Sequence, residues 1–434
     1  MSLQTLLNHY PTATMGFGKQ PTSSTAAAKR NGNGAPSSNG SNGNHADSTG
    51  LAKLTPPRGY RKEDSALRRE WLAKRTGSTI SSGVFDEPEK LQGLIENHVG
   101  YVGIPMSIAG PLKIDGSFAK GDFYVPLCTV EGTLSFSMTR GAYLTYLAGG
   151  ITTRHFKQEI SRAPVFIFEN VPSAAHFIEW IAAHFSEIKA AAESTTRHGK
   201  LLRIDKYPAH NRVILDFVYD TAEAAGQNMV TLGTDKACRW ILDQVRHLKP
   251  VRYLVESNFC GDKNPTHRTL LHGRGHHVIA SFTVSERLLR KVLRVGVDDV
   301  VQSTTDKHLG SQLAGVLGFN LHVANALAAL YLATGQDVAC VAENAVGITT
   351  FERSGENLLA SLSMPSITVG TVGGATRLLQ QQNNLKLLGC GGGPDSSKKL
   401  AEIICAAALA LEISLAGAII SNEFAAAHAK FGRK

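Results

Sequence analysis

Cysteine is scarce in this 434-residue chain, and the six present (Cys128, Cys238, Cys260, Cys340, Cys390 and Cys405) stand far apart with no C-x-x-C pair. That spacing argues against a zinc ribbon and a disulfide framework, fits a reducing compartment, and leads us to expect no metal. The chain also lacks any long run of one charge. Its formal net charge is +9, yet Lys and Arg are scattered. A basic balance of that kind suits an anionic partner such as a polyphosphate cofactor and argues against nucleic acid. No G-x-G-x-x-G occurs, so the ordinary dinucleotide fingerprint is missing. No membrane span is expected: Ile403 to Ile420 comes nearest, but Glu412 interrupts it and alanine dominates, as in a buried core helix.

What is present is a globular composition, 43% hydrophobic and 19% charged, in a chain long enough for roughly two or three domains. Residues 1–50 are rich in Ser, Asn, Gly, Thr and Ala, and their first acid is Asp47. Such a segment buries too little apolar surface to offset its ordering entropy, so a disordered tail is expected, while the cysteine usage leads us to expect a cytoplasmic protein. Its poverty in acids also suits an organelle-targeting segment, but Lys19, Lys29 and Arg30 are its only cations. Residues 51–96 are charged and helix-patterned, a small N-terminal helical region.

Between Pro164 and Cys260 the periodicity changes repeatedly. PVFIFEN is a short strand and SAAHFIEWIAAHFSEIKAAAES one long amphipathic helix. KLLRIDKYPAHNRVILDFVYD reads as two strands about a Tyr207-Pro208 turn, NMVTLGTDKACRWILDQVRH as a second helix, and VRYLVESNF as a last strand. The order βαββαβ is the ferredoxin-like unit, here an inserted domain over 164–255. The flanks, 97–163 and 256–434, are Gly- and Ala-rich and read as one large, mostly helical domain. Its central buried helix is expected over His308–Thr334, with Gly310 and Gly315 allowing close packing. The fold class is α+β.

The most specific segment runs from Ser363 to Gln382, SMPSITVGTVGGATRLLQQQ. A β-branched run, Ile367 to Val372, meets Gly373-Gly374 and then a helix pattern. Strand, glycines and helix in that order aim backbone N–H groups outward, as a phosphate cradle does, though a structural glycine turn has the same pattern. Four polar residues stand out in apolar or glycine-rich settings: Glu131 in TVEGTLS, Lys263 in CGDKNP, Asp337 in ATGQD and His428 in AAAHAKFG. Singly, each has a structural reading as a cap, a turn residue or a solvated helix residue.

Taken together, ENHVGYVGIPMSIAGPL, VEGTLSFSMTRG, the Asp262-Lys263 turn, ATGQD and SMPSITVGTVGGAT occur in order over about residues 95–430. This set resembles the 3-hydroxy-3-methylglutaryl-CoA reductase family, which makes mevalonate by a four-electron, nicotinamide-dependent reduction. The resemblance implies an acid at Glu131, a cation at Lys263, an orienting carboxylate at Asp337 and a proton donor at His428. Those types suit the chemistry. A cation stabilises charge building on the thioester carbonyl oxygen, the departing CoA thiolate needs a proton, and an acid with a raised pKa can protonate the product of the second reduction.

By the same resemblance Arg162 would pair with the substrate's free carboxylate. Arg140 and Ser137 would contact CoA, and His322 and Asn325 would lie on the substrate side. Thr196, Arg197, Gly226 and Asn228 would hold the nicotinamide nucleotide with Gly373 and Gly374. An arginine there favours NADPH over NADH. The resemblance further implies a homodimer or higher homo-oligomer with sites at the subunit interface. A reductase of a different acyl-CoA and a non-catalytic paralogue that binds CoA or a nucleotide are the alternatives.

The chain departs from the family pattern near the proposed site. Glu256 stands where a small serine is usual, Asn264 where a second lysine follows Lys263, Glu223 where a shorter acid precedes the cofactor turn, and Ala375 where a third glycine is usual. The lysine expected upstream of Gly318-Phe319-Asn320 falls on Lys307. All four catalytic residue types remain.

Overall fold

The computed structural model describes residues 56–57, 61–79 and 88–421. The expected tail and His428 lie outside the described residues. An N-terminal helix α1 (Lys62–Thr76) ends in an αL glycine, Gly77, the usual stop signal.

Over the expected inserted unit the elements follow the order βαββαβ, with two local differences from the periodicity. Its elements are β4 (Val165–Phe168), α3 (Val171–Ala183), α4 (Phe185–Glu193), β5 (Lys200–Ala209), β6 (Arg212–Asp220), α5 (Gln227–Gln244) and β7 (Pro250–Leu254). The strands lie antiparallel in the order β7-β4-β6-β5, the ferredoxin-like arrangement. The first expected helix is broken at His184, whose ring nitrogen bonds the Trp180 carbonyl at 2.8 Å. The hairpin turns at His210-Asn211 rather than Tyr207-Pro208: His210 takes φ +58°, while Pro208 stays in β5, paired with Val213. Proline is tolerated there because β5 is an edge strand. The unit has its own core of Phe166, Phe168, Phe177, Ile181, Leu215 and Phe217.

The flanking chain is less helical than its composition suggests, because it also contains a sheet. β1 (Met106–Asp115) pairs antiparallel with β2 (Lys120–Cys128), and β3 (Ile151–Arg162) pairs antiparallel with β8 (Gly275–Ser285). β8 pairs with β10 (Asn357–Ile367), and β10 with β9 (Ile348–Ser354). β3 serves both units: residues 152–159 pair with β8, and Ile160 to Arg162 pair with β6 of the inserted unit. The end of this shared strand therefore sits at the junction where a site can draw on both.

The expected single helix over His308–Thr334 is two helices, α8 (Val297–Ala314) and α9 (Val323–Thr334), which follow the short α7 (Glu286–Leu293). The break follows from Gly315 and Gly318, at φ +70° and +81°, a left-handed backbone that ends a helix cheaply only at glycine. Neither Gly310 nor Gly315 is a packing contact, since a Cβ at either would meet nothing within 4 Å. The central helix is instead α12 (Ser396–Ile420), long and apolar enough to cross a membrane, but with 89% of its apolar 18-residue stretch buried inside the protein. It packs on β3, β8 and β10 and against α9 and α2 (Leu134–Leu147).

α12 carries two fully buried carboxylates, and each holds a loop. Glu402 accepts from the backbone N–H groups of Ser117, Phe118 and Ala119 at 2.7–3.0 Å. Glu412 accepts from Leu321 and His322 N–H at 2.8 and 2.6 Å and from Thr349 Oγ1 at 3.0 Å. A buried acid persists because its lone pairs are satisfied. Where α2 crosses α12, a Cβ at Gly141 would fall 1.7 Å from the Ala410 carbonyl oxygen. Gly141→Ala is therefore expected to destabilise the fold by about 1–3 kcal/mol through overpacking, read as a lowered melting temperature. An unchanged melting temperature would mean the helices part without cost.

Candidate active site

The loop between β7 and a short helix, α6 (His267–His272), is wound tightly, with Asn258, Gly261 and Lys263 all at positive φ. Lys263 at φ +58° is unfavourable for a non-glycine residue and persists only where its surroundings hold it. Its backbone N–H donates to Glu343 Oε2 at 2.7 Å. Glu343 is fully buried on α10 (Val341–Asn344), and its Oε1 accepts from Arg274 Nη1 at 2.7 Å and Thr368 Oγ1 at 2.8 Å. Arg274, also fully buried, lies 3.2 Å from Asp262 in the same loop.

So held, the Lys263 ammonium lies 3.0 Å from Asp337 Oδ2. That hydrogen bond raises the lysine above its ordinary range, so it stays cationic. Asp337 follows α9, and its other oxygen caps the Ala339 N–H at 3.0 Å. Gln227, the first residue of α5, donates to Asp337 Oδ2 at 3.4 Å and to Cys340 Sγ at 2.9 Å. The inserted unit thus reaches the lysine–aspartate pair directly. Burial pushes the Cys340 thiol well above its usual range and Cys260 up to about 12, favouring the neutral thiol at both.

Glu131 belongs to a second pair. It is exposed just before α2 and accepts from Asn325 Nδ2 at 3.1 Å, while Asn325 lies 3.5 Å from His322 Nδ1. His322 is the N-cap of α9 rather than a residue inside one long helix, and Glu412 fixes its backbone. Among the described residues no hydrogen bond or ion pair joins Glu131 to Lys263 or Asp337. Ser137 and Arg140, on α2, both engage Ser414 of α12, at 3.0 Å in each case.

Arg162, buried at the end of the shared strand, donates through Nη1 to Glu256 at 2.7 Å and to Asp262 at 3.2 Å. Glu223 caps α12, accepting from Asp395 and Ser397 N–H, both at 2.7 Å, and from Ser396 Oγ at 2.9 Å. It fills the N-terminus of the long helix.

α5, by contrast, has no side-chain cap, only Gly226 at φ +80°. A Cβ at Gly199 would fall 2.6 Å from Met229 Sδ, so the Thr196–Gly199 turn lies against the first turn of α5. Thr196 Oγ1 ties that turn by accepting from His198 and Gly199 N–H at 3.2 and 3.1 Å, and Arg197 and Asn228 are exposed beside it.

The Ser363–Gln382 segment is not a strand running through glycines into an α-helix. β10 stops at Ile367, Gly373 precedes a 3₁₀ turn (Gly374–Arg377), and α11 (Leu379–Leu387) begins after it. Gly373 and Gly374, at φ +80° and +54°, face open space. The segment docks on the inserted unit through Thr371 N–H to the Glu223 carbonyl at 2.8 Å and a Val372–Ala224 bridge. Gln336 of ATGQD clasps Gly370 with both ends of its amide, at 2.9 and 3.0 Å.

Four residues of this arrangement, Gln227, Arg274, Gln336 and Glu343, were not singled out from the sequence. Glu343 carried the same signal as Glu131, a lone acid in an apolar stretch (VAENAVG).

The hydroxymethylglutaryl-coenzyme A reductase family model matches residues 64–433. The chain is 39% identical over 376 residues to 3-hydroxy-3-methylglutaryl-coenzyme A reductase of Methanocaldococcus jannaschii, spanning 85% of this chain and 92% of the relative. It is 40% identical over 375 residues to the reductase of the same name from Haloferax volcanii, spanning 84% and 92%. Among solved structures, the class II 3-hydroxy-3-methylglutaryl-CoA reductase from Streptococcus pneumoniae, bound to NADPH in open conformations, superposes with a TM-score of 0.65 at 18% identity. That match covers 86% of this chain and 100% of the other, and it speaks for the fold. The chain belongs to the hydroxymethylglutaryl-coenzyme A reductase family.

Proposed function

We propose that this protein reduces 3-hydroxy-3-methylglutaryl-CoA to mevalonate and free CoA, consuming two NADPH per thioester. The observation that carries the reading is the Lys263–Asp337 pair at 3.0 Å with Gln227 of the inserted unit on the same carboxylate. A fixed cation and the end of a nucleotide-binding candidate helix meet at one point.

When bound, the reduced nicotinamide supplies the hydride. The uncapped end of α5 fits its phosphates, because the free first-turn N–H groups and the helix dipole favour an anion. Thr196, Arg197, Gly226 and Asn228 would hold the nucleotide there together with Gly373 and Gly374, and exposed Arg197 supports NADPH over NADH. Lys263 stabilises the negative charge on the carbonyl oxygen at each reduction. Asp337 orients the ammonium. Glu131, positioned by Asn325, supplies the proton that completes the alcohol, and His428 protonates the leaving CoA thiolate.

Arg162 receives the acyl carboxylate, His322 and Asn325 line the acyl side, and Ser137 and Arg140 serve CoA. Membership of the family supports a homodimer whose second copy completes the site. So does the exposed apolar stretch at Val99 and Val102, 101% and 92% accessible. A cytoplasmic enzyme that binds no nucleic acid remains our reading. The experiment that tests it is turnover of 3-hydroxy-3-methylglutaryl-CoA with NADPH, following oxidised nucleotide and released thiol together.

A further inference from the structure

We propose that Glu256 is a specificity-determining residue: its carboxylate occupies the Arg162 guanidinium in the place of the substrate's acyl carboxylate, and it must be displaced for that thioester to bind. The inference rests on the reading of Arg162 as the partner of the acyl carboxylate.

Three donors hold Glu256 where it is: Arg162 Nη1 at 2.7 Å, the Asn258 N–H at 2.6 Å and Cys260 Sγ at 3.2 Å. Asp262 shares the same Nη1 at 3.2 Å. Arg162 Nε, buried, has no partner among the described residues, so the guanidinium retains capacity for a further acceptor. Charge then decides which group yields. The connected cluster holds Arg162 and Arg274 against Glu256, Asp262 and Glu343, already one negative charge in excess. An arriving acyl carboxylate would double that excess in a site where charges are poorly screened.

Of these acids, Glu343 is fully buried, and Asp262 is tied to both arginines. The Glu256 side chain is 28% exposed against 9% for Arg162, so Glu256 has a route into solvent and the guanidinium does not. Asn264, next to Lys263, adds no compensating cation. Glu256 therefore acts as an internal competitor that weakens binding of thioesters ending in a carboxylate and leaves those without one unaffected.

The test compares the full-length protein with Glu256→Gln, which keeps the shape and an acceptor oxygen while removing the charge. Glu256→Ser serves as a second variant should the first fail to fold. KM for 3-hydroxy-3-methylglutaryl-CoA and the calorimetric Kd of free 3-hydroxy-3-methylglutarate should both fall roughly tenfold, more than kcat changes. The inhibition constant of butanoyl-CoA, which has no terminal carboxylate, should stay within about twofold, well below the shift expected for a charged contact. An unchanged or raised KM and Kd would overturn the proposal, as would an equal gain for both thioesters. If the parent protein turns over no 3-hydroxy-3-methylglutaryl-CoA, the reductase reading fails, while the Kd of the free dicarboxylate still decides the role of Glu256.

Discussion

Lys263→Ala is expected to lower kcat by on the order of 10²- to 10³-fold or more, the usual cost of removing a preorganised group that stabilises a developing oxyanion. The fold should survive. The side chain is 45% exposed, and the bond that holds the loop runs from the backbone N–H of residue 263 to Glu343, which alanine also makes. Steady-state kinetics with a melting curve on the same sample checks both halves. Near-normal turnover would remove Lys263 from the chemistry, and a collapsed melting temperature would make it structural instead.

The second large effect is expected at a residue that does not touch the ammonium. Glu343→Ala deletes the acceptor of the Lys263 N–H and strips Arg274, fully buried, of its 2.7 Å partner. Breaking a buried ion pair from one side costs up to about 3–5 kcal/mol, and Asp262 at 3.2 Å is then left to offset the Arg274 charge. Activity should fall as well, because Lys263 at φ +58° has little reason to stay in that conformation without the bond. Glu343→Gln, which keeps an oxygen for the N–H but not the charge for Arg274, should recover part of the activity with less of the stability. A melting temperature for Glu343→Ala equal to that of the parent would show that the buried pair contributes nothing.

Residues at the ends of local patterns were legible in the sequence. The inserted unit declares itself because its strands and helices differ sharply in period and bury large side chains such as Phe166, Phe177 and Phe217. Lys263 and Asp337 stand in short distinctive turns, and the structure brings them together. The sheet of the larger region was harder to see. In β10 the inward Leu358, Ala360, Leu362 and Met364 do alternate with Ser361 and Ser363, but small residues weaken the contrast and resemble a Gly- and Ala-rich helix.

The α8–α9 break was obscured for the opposite reason. Apolar residues continue across it, and only the backbone at Gly315 and Gly318 marks the turn. What no local pattern holds is the anchoring of the site. Glu343 lies 80 positions from Lys263, and Gln227 lies 110 from Asp337. Such contacts arise from the way β3 joins the two units and from the docking of the Ser363–Gln382 segment on the Glu223 loop. The same holds for Glu223 and Glu256, whose carboxylates bind α12 and Arg162 within the chain itself.

The measurement that bears most directly on the proposed reaction is its stoichiometry. With limiting 3-hydroxy-3-methylglutaryl-CoA and excess NADPH, about two nucleotides should be oxidised and about one free thiol released per thioester, because one hydride is consumed at the thioester carbon and one at the aldehyde it yields. A ratio of about one nucleotide per thiol, or no oxidation with any CoA thioester, would contradict it.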